Sequence, residues 1–303
     1  MDLNWQLARK RPVLEQRARI LQRIRAFFVA DGFVEVTTAH RIPGNAPECH
    51  IDPEEAGDWY LHTSPELCMK RLLAAGYAKI FQICQCWRKG ERGRLHLPEF
   101  TLLEWYRSDT DYQTLMTDCQ RLLAALAPEG RLTWQGETID LSPPWEVLTV
   151  AEAFRRHAGM AVERALADDR FEELLSERVE PALGRPRPTL LCDYPLPLAA
   201  LARRKPGQPD VAERFELYIA GMELANGFSE LTDPDEQRRR FEAEERARRA
   251  AGKPAVPSAE RFLAELEHLD RAAGIALGVD RLVMLLTGRT DIAEVVAFPP
   301  EAL

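Results

Sequence analysis

The sequence predicts a chain of mixed helix and strand, and three observations carry that expectation. Amphipathic helical patterns at residues 12–31 and 111–127 alternate with period-two strand patterns at 80–87 and 99–107. The 303 residues are 46% hydrophobic and 29% charged, a folded composition that excludes wholesale disorder. A chain this long buries roughly 75% of its unfolded surface and needs no covalent staple. No internal repeat or linker interrupts it, so one large α/β or α+β domain over 1–303 is the default expectation.

Taken in order, residues 12–31 read as one helix. Pro12 suits its first turn, Ile20, Ile24, Phe27 and Phe28 follow the helical repeat, and Gly32 supplies the stop. Its other face, with Arg17, Arg19, Arg23 and Arg25, reads as solvated. Residues 33–37 alternate as a strand, and 41–58 form a Pro/Gly/Asp-rich loop. A second helix opens at 62–66, with Ser64 as N-cap, Pro65 in the first turn and Gly76 just past the end. Strands at 80–87 and 99–107 flank a polar loop, and a helix follows at 111–127. The stretch 128–187 is punctuated by Pro and Arg, with helices near 149–158 and 168–178. A buried strand at 190–195 precedes a hairpin over 215–231. Residues 234–251 form a charged, solvent-washed helix in which the run Arg238-Arg239-Arg240 is interleaved with glutamates. A short strand at 274–278 and a helix at 280–288 close the pattern.

Forty Lys and Arg against 48 Asp and Glu leave a net charge of −8, which argues against broad wrapping by nucleic acid. The six cysteines, Cys49, Cys68, Cys84, Cys86, Cys119 and Cys192, have no CxxC spacing. Cys84 and Cys86 share a strand face, but zinc needs two further ligands and no CxxH or HxxxH pattern supplies them. Reduced structural thiols are expected instead. The first five residues lack an apolar signal region, and no apolar run approaches about 18 residues. A soluble cytoplasmic protein without membrane contact is therefore expected. Walker A, dinucleotide GxGxxG and nucleophile-elbow motifs are all absent.

Three clusters carry chemistry. Alternation puts Phe100, Leu102, Glu104 and Tyr106 on one face of the 99–107 strand, and Gln82, Cys84, Cys86 and Arg88 on one face of its neighbour. An arginine beside an aromatic ring and a carboxylate makes an anion clamp. In 221–231, Glu223 and Glu230 fall on opposite faces of a regular strand. Asn226-Gly227 is the natural place for a bulge that restores a common face, and two converging carboxylates suit Mg²⁺ with substrate phosphates. In 274–281, a small-residue strand feeds a helix with Arg281 in its first turn, which allows close backbone approach by a ligand.

In this order the clusters resemble motifs 2 and 3 of class II aminoacyl-tRNA synthetases, in the lysyl branch. The resemblance runs through Thr63-Ser64-Pro65-Glu66, Pro98-Glu99-Phe100-Thr101-Leu102-Leu103-Glu104-Trp105-Tyr106-Arg107, residues 223–231 and Gly278-Val279-Asp280-Arg281. Lysyl-tRNA synthetases carry an N-terminal anticodon-binding barrel, and the chain before the first helix leaves no room for one. The short form, together with Ala276 where those synthetases usually have glycine, is similar to the elongation factor P–(R)-β-lysine ligase family.

The resemblance implies an α+β fold, an antiparallel sheet flanked by helices, dimeric through the first helix and strand. It places 128–187 as a variable segment between the two motifs. It implies an ATP-dependent ligase that activates (R)-β-lysine or lysine as an adenylate and passes it to a lysine of elongation factor P. Arg88, Glu223 and Arg281 are the implied catalytic residues. Ser64, Glu66, Glu104, Tyr106, Asn226, Glu230 and Ala276 are the implied substrate contacts. For ATP the set is Arg88, Gly90, Glu91, Leu97, Phe100, Glu223, Leu224, Gly278 and Arg281, with adenine between Phe100 and Arg281. Glu223 and Glu230 are the implied Mg²⁺ ligands. Gly90 stands where the family has a glutamate that Glu91 replaces, Leu97 stands for an asparagine, and Ala39 stands near a usual proline. The rivals are a truncated lysyl-tRNA synthetase, against which the charge and missing barrel count, and a silent regulatory paralogue, which would be expected to lack Arg88, Glu223 or Arg281. No stable tRNA binding is expected.

Overall fold

Helix α1 (Leu3–Ala30) starts well before the expected 12–31 segment, so Pro12 lies inside it. The proline is exposed, and water can satisfy the carbonyl it strands, so the helix runs through it. Val13, Ile20, Ile24 and Phe28 form its buried stripe, and Phe28 stacks on Phe81 with ring centroids 4.9 Å apart. The computed structural model describes residues 3–199 and 201–303; Met1 and Asp2, within the segment read for a signal, lie outside them. Two compact units result, 1–110 with 231–303, and 111–230.

Gly32, at φ +79°, ends α1 with a paired turn: its amide donates to the Val29 carbonyl at 3.1 Å and that of Phe33 to Phe28 at 3.0 Å. Strand β1 (Val34–Glu35) follows, shorter than the expected 33–37. The 41–58 loop is not wholly irregular: β2 (Arg41–Ile42), β3 (Glu55–Ala56) and β4 (Trp59–Leu61) form a small sheet whose strands are too short to alternate visibly in sequence. Helix α2 (Glu66–Ala74) ends at Gly76, φ +95°, in the same paired turn as α1. Strands β5 (Lys79–Trp87) and β6 (Glu99–Ser108) match the expected hairpin.

The second unit opens with α3 (Tyr112–Leu126), capped by Asp111. A hairpin, β7 (Arg131–Trp134) and β8 (Glu137–Asp140), was not legible within 128–187. Strand β9 (Glu146–Thr149) leads through a Thr149–Glu152 capping box into α4 (Val150–Ala153), extended by a π-helical turn to Ala158. Two short helices, α5 (Val162–Ala167) and α6 (Phe171–Leu174), pack Phe171 on Phe154. The remaining strands are β10 (Thr189–Pro195), β11 (Arg204–Lys205), β12 (Gln208–Ile219) and β13 (Met222–Ser229). They run in the order β13-β12-β10-β9; β11 pairs with β12, and β10 is parallel to β9.

The chain returns to the first unit with α7 (Pro234–Ala250), α8 (Glu260–Leu266), β14 (Ala272–Gly278) and α9 (Val279–Thr287). Helix α7 is less solvent-washed than its composition suggests. Arg248 is buried and donates to the carbonyls of Glu48 and Ile51, with Asp52 3.1 Å away. In this unit β1-β5-β6-β14 form a sheet that is antiparallel except for the β1–β5 pair. The fold is α+β as expected, with mixed rather than purely antiparallel sheet. No helix among the described residues is long and apolar enough to cross a membrane.

Arg17 leaves the basic face of α1 to pin three elements. Its guanidinium lies 2.5 Å from Asp280 Oδ1 at the start of α9 and donates to Thr101 Oγ1 on β6, while Asp280 Oδ2 accepts the Thr101 amide at 2.7 Å. Removing one partner of a buried ion pair typically costs about 3–5 kcal/mol. Asp280→Ala should lower stability by that order in urea titration; a change under about 0.5 kcal/mol would mean that the pin is ornamental.

Candidate active site

Alternation along β5 and β6 builds the site's floor. Cys86 pairs with Phe100, Cys84 with Leu102 and Gln82 with Glu104, so these side chains share a face with Tyr106. Strand β14 extends that face with small residues: Gly274 lies beside Tyr106, Ala276 beside Glu104 and Gly278 beside Leu102. Bulkier side chains there would fill the space next to the carboxyl.

Glu104 is 1% exposed. Ser64 Oγ donates to its Oε1 at 2.5 Å and Tyr106 OH to its Oε2 at 2.7 Å. The same Ser64 hydroxyl accepts the Glu66 amide at 3.0 Å, so the start of α2 aims it. Burial pushes the Glu104 carboxyl up to about 8 and the Glu66 charge adds to this, while the two hydroxyl donors oppose the shift without cancelling it. Glu104 therefore holds a proton at neutral pH. Glu66 has its own counter-ion in Lys70, one helical turn on, buried and 2.6 Å away. Sequence reading missed Lys70, although its (i, i+4) spacing from Glu66 was a usable signal.

Arg88 sits where β5 becomes loop. Its guanidinium lies over the Phe100 ring at 5.0 Å, and Glu91 is 3.8 Å away. Gly90, at φ +78°, adopts the left-handed turn that returns Glu91 towards Arg88, and the Arg88 Nε–H is buried with no hydrogen-bond partner among the described residues. Leu97 is buried and apolar. Arg281 donates from Nε to the Leu95 carbonyl and lies 2.6 Å from His96 Nε2. Burial, followed by Arg281, lowers the His96 pKa, which favours a neutral acceptor.

The second unit carries the other candidates. Register between β12 and β13 shifts once: Leu217 pairs with Ala225 and Tyr218 with Glu223, leaving Leu224 as the extra residue. The bulge is thus at Leu224, not at Asn226-Gly227. Asn226 and Gly227 stay in regular pairing, opposite Glu216 and Phe215. The parity argument survives the move, and Glu223 and Asn226 share a face on β13 that continues towards Glu230. Behind Asn226 lies a polar cluster invisible in sequence. Arg214 reaches Asn226 Oδ1 at 3.3 Å and Glu216 at 2.7 Å, and Tyr194 and Tyr218 lie 2.5 and 2.7 Å from Glu216 Oε2. Burial raises the Glu216 pKa and Glu223 raises it further, so this face concentrates carboxyl groups that a hard cation would relieve. Glu230 is buried, at a backbone bridge to Ala202.

A family model described as tRNA synthetases class II (D, K and N) matches residues 3–302. The chain is 40% identical to an elongation factor P–(R)-β-lysine ligase of Pseudoalteromonas translucida, over 98% of each chain. It is 39% identical to proteins of the same name from Klebsiella pneumoniae, over 97% of each, and Hamiltonella defensa, over 98% of each. The chain therefore belongs to the elongation factor P–(R)-β-lysine ligase family, within the class II tRNA synthetases of the D, K and N group.

Proposed function

We propose that this enzyme activates (R)-β-lysine, or lysine, with ATP and transfers it to a lysine ε-amine of elongation factor P. The observation that carries the reading is Glu104: a buried carboxyl at the end of an apolar strand face, with the small Ala276 beside it, suits one desolvated cation. The family model spans both units, which supports reading 1–303 as one catalytic domain.

The chemistry has two steps. The substrate carboxylate displaces pyrophosphate in line at the α-phosphorus, giving an aminoacyl-adenylate. The acceptor ε-amine then attacks the acyl carbon, an amide forms and AMP leaves. Arg88 would neutralise the α-phosphate and orient the carboxylate, which its unpartnered Nε–H favours. Phe100 would offer a face for adenine, with Arg281, the Gly278 backbone, Gly90, Glu91, Leu97 and Leu224 as the further nucleotide contacts. Ser64, Glu66, Tyr106 and Glu230 would hold the amino acid, with Glu104 at its distal amine and Asn226 at its carboxylate. Glu223 and Glu230 would hold Mg²⁺, which when bound offsets phosphate charge. The reaction would take place in the cytoplasm, where ATP and the translation factor meet. Exposed Val29 at the end of α1 and exposed Val34 on edge strand β1 favour a homodimer through those elements.

Enzyme, ATP, Mg²⁺ and (R)-β-lysine should add one lysyl mass to elongation factor P, and replacement of the acceptor lysine by alanine should remove it. A tRNA surface releases counterions on binding, so charging of tRNA would weaken steeply with salt; little is expected from a chain of net charge −8. Robust charging of tRNA-Lys with no mass change on the factor would overturn the proposal.

A further inference from the structure

Within the floor of the candidate site lies a second set of ligand atoms. His62, Cys84 and Cys86 are all buried, and one ligand atom from each lies within 4.8 Å of the others. The two thiols on β5 converge to 3.9 Å, and Cys86 Sγ is 3.8 Å from His62 Nε2. From these residues we propose a site for a thiolate-preferring divalent cation of the zinc class, a site distinct from the carboxylates assigned to Mg²⁺.

The geometry excludes the obvious alternative use of two neighbouring cysteines. Residues i and i+2 of a strand are about 6.6 Å apart at Cα and point the same way, so their Cβ atoms stay far beyond the roughly 3.8 Å a disulfide needs. A metal with bonds of about 2.3 Å to sulfur and 2.0 Å to nitrogen spans tetrahedral edges of about 3.5–3.8 Å, against 3.9 Å between the thiols and 3.8 Å from Cys86 to His62. Charge fits as well. Two thiolates and a neutral imidazole cancel a dication, so the buried site stays neutral once both thiol protons leave. Sulfur and imidazole donors favour zinc-class metals over Mg²⁺ or Ca²⁺.

The histidine stands beside the thiols. Its Nε2 lies 2.7 Å from the Gln85 carbonyl, and its buried Nδ1 has no hydrogen-bond partner among the described residues. Nε2 is also the nitrogen 3.8 Å from Cys86 Sγ, so coordination through it would replace the hydrogen bond to Gln85. His62 lies two residues before Ser64, so a cation held here would tie the approach to α2 to β5, on the face that also carries Phe100 and Glu104. The expectation of no zinc site rested on sequence spacing; His62 is brought in by the fold.

The test uses the full chain with Cys49→Ser and Cys68→Ser, which removes the two half-buried thiols. Stripped with chelator and without ATP or Mg²⁺, it is titrated with Cd²⁺ while ultraviolet thiolate-to-cadmium absorbance is read. The band should saturate at one Cd²⁺ per chain, and Zn²⁺ should compete it away and raise the melting temperature. Adding Cys86→Ser should about halve the band, and His62→Asn should weaken binding at least about tenfold. Absence of a saturable band at one equivalent would overturn the site, and this arm requires no buried substitution. A band unchanged by Cys84→Ser with Cys86→Ser would overturn it as well. Neither result depends on the acceptor or amino acid assigned to the enzyme.

Discussion

Glu223→Gln should cut adenylate formation at least about 100-fold while leaving the melting temperature within a few degrees of wild type. The residue is half-buried on the β13 face, where its charge already raises the Glu216 pKa. Clustered carboxyl groups repel one another until a cation sits between them, so removing one charge relieves the empty protein and harms only the loaded one. Glutamine keeps the shape and loses most of the affinity for a hard cation. Amino-acid-dependent pyrophosphate exchange, measured across a Mg²⁺ titration, reads the loss directly. Wild-type exchange in the variant would remove Glu223 from the metal assignment.

Glu104→Ala should weaken amino-acid use by about 100-fold or more and change ATP binding little. An ammonium group left without its buried counter-charge loses about 2–5 kcal/mol. Similar losses for both ligands would make the carboxyl structural. A pH arm separates the roles further. Because the folded pKa stands near 8 against an ordinary 4.5, the native state binds the extra proton between those values, and its contribution to stability is lost as pH rises through about 8. Amino-acid binding runs the other way. The ammonium needs an ionised partner, so affinity should rise as pH climbs towards about 8, with a proton released on binding below it. Glu104→Gln should flatten that profile, and a profile unchanged by the substitution would refute the assignment.

Much of this site could be read from alternation. Phe100, Leu102, Glu104 and Tyr106 share a face because strand period is a local property, and the Ser64-Pro65 start of α2 is equally local. Errors arose where a local signal permits more than one outcome. Pro12 suits a first turn but is tolerated at an exposed position inside a long helix. Asn226-Gly227 favours a bulge, yet cross-strand packing placed it at Leu224. What stayed hidden depends on tertiary neighbours: Arg17 reaching Asp280, Arg214 behind Asn226, and His62 beside Cys86 come together only in the folded chain.

The Lys70–Glu66 pair has a consequence for how the enzyme waits between turnovers. With Lys70 matching Glu66 and Glu104 protonated, these three side chains together carry no net charge at neutral pH. When a lysine side chain enters and the Glu104 proton departs, the sum is zero again. Binding therefore leaves the charge balance of these groups unchanged, with no counter-ion to import or expel. A side chain bearing a carboxylate, or none bearing charge, breaks that neutrality or leaves the acid unused, so discrimination is built into the resting protonation state before any contact is made.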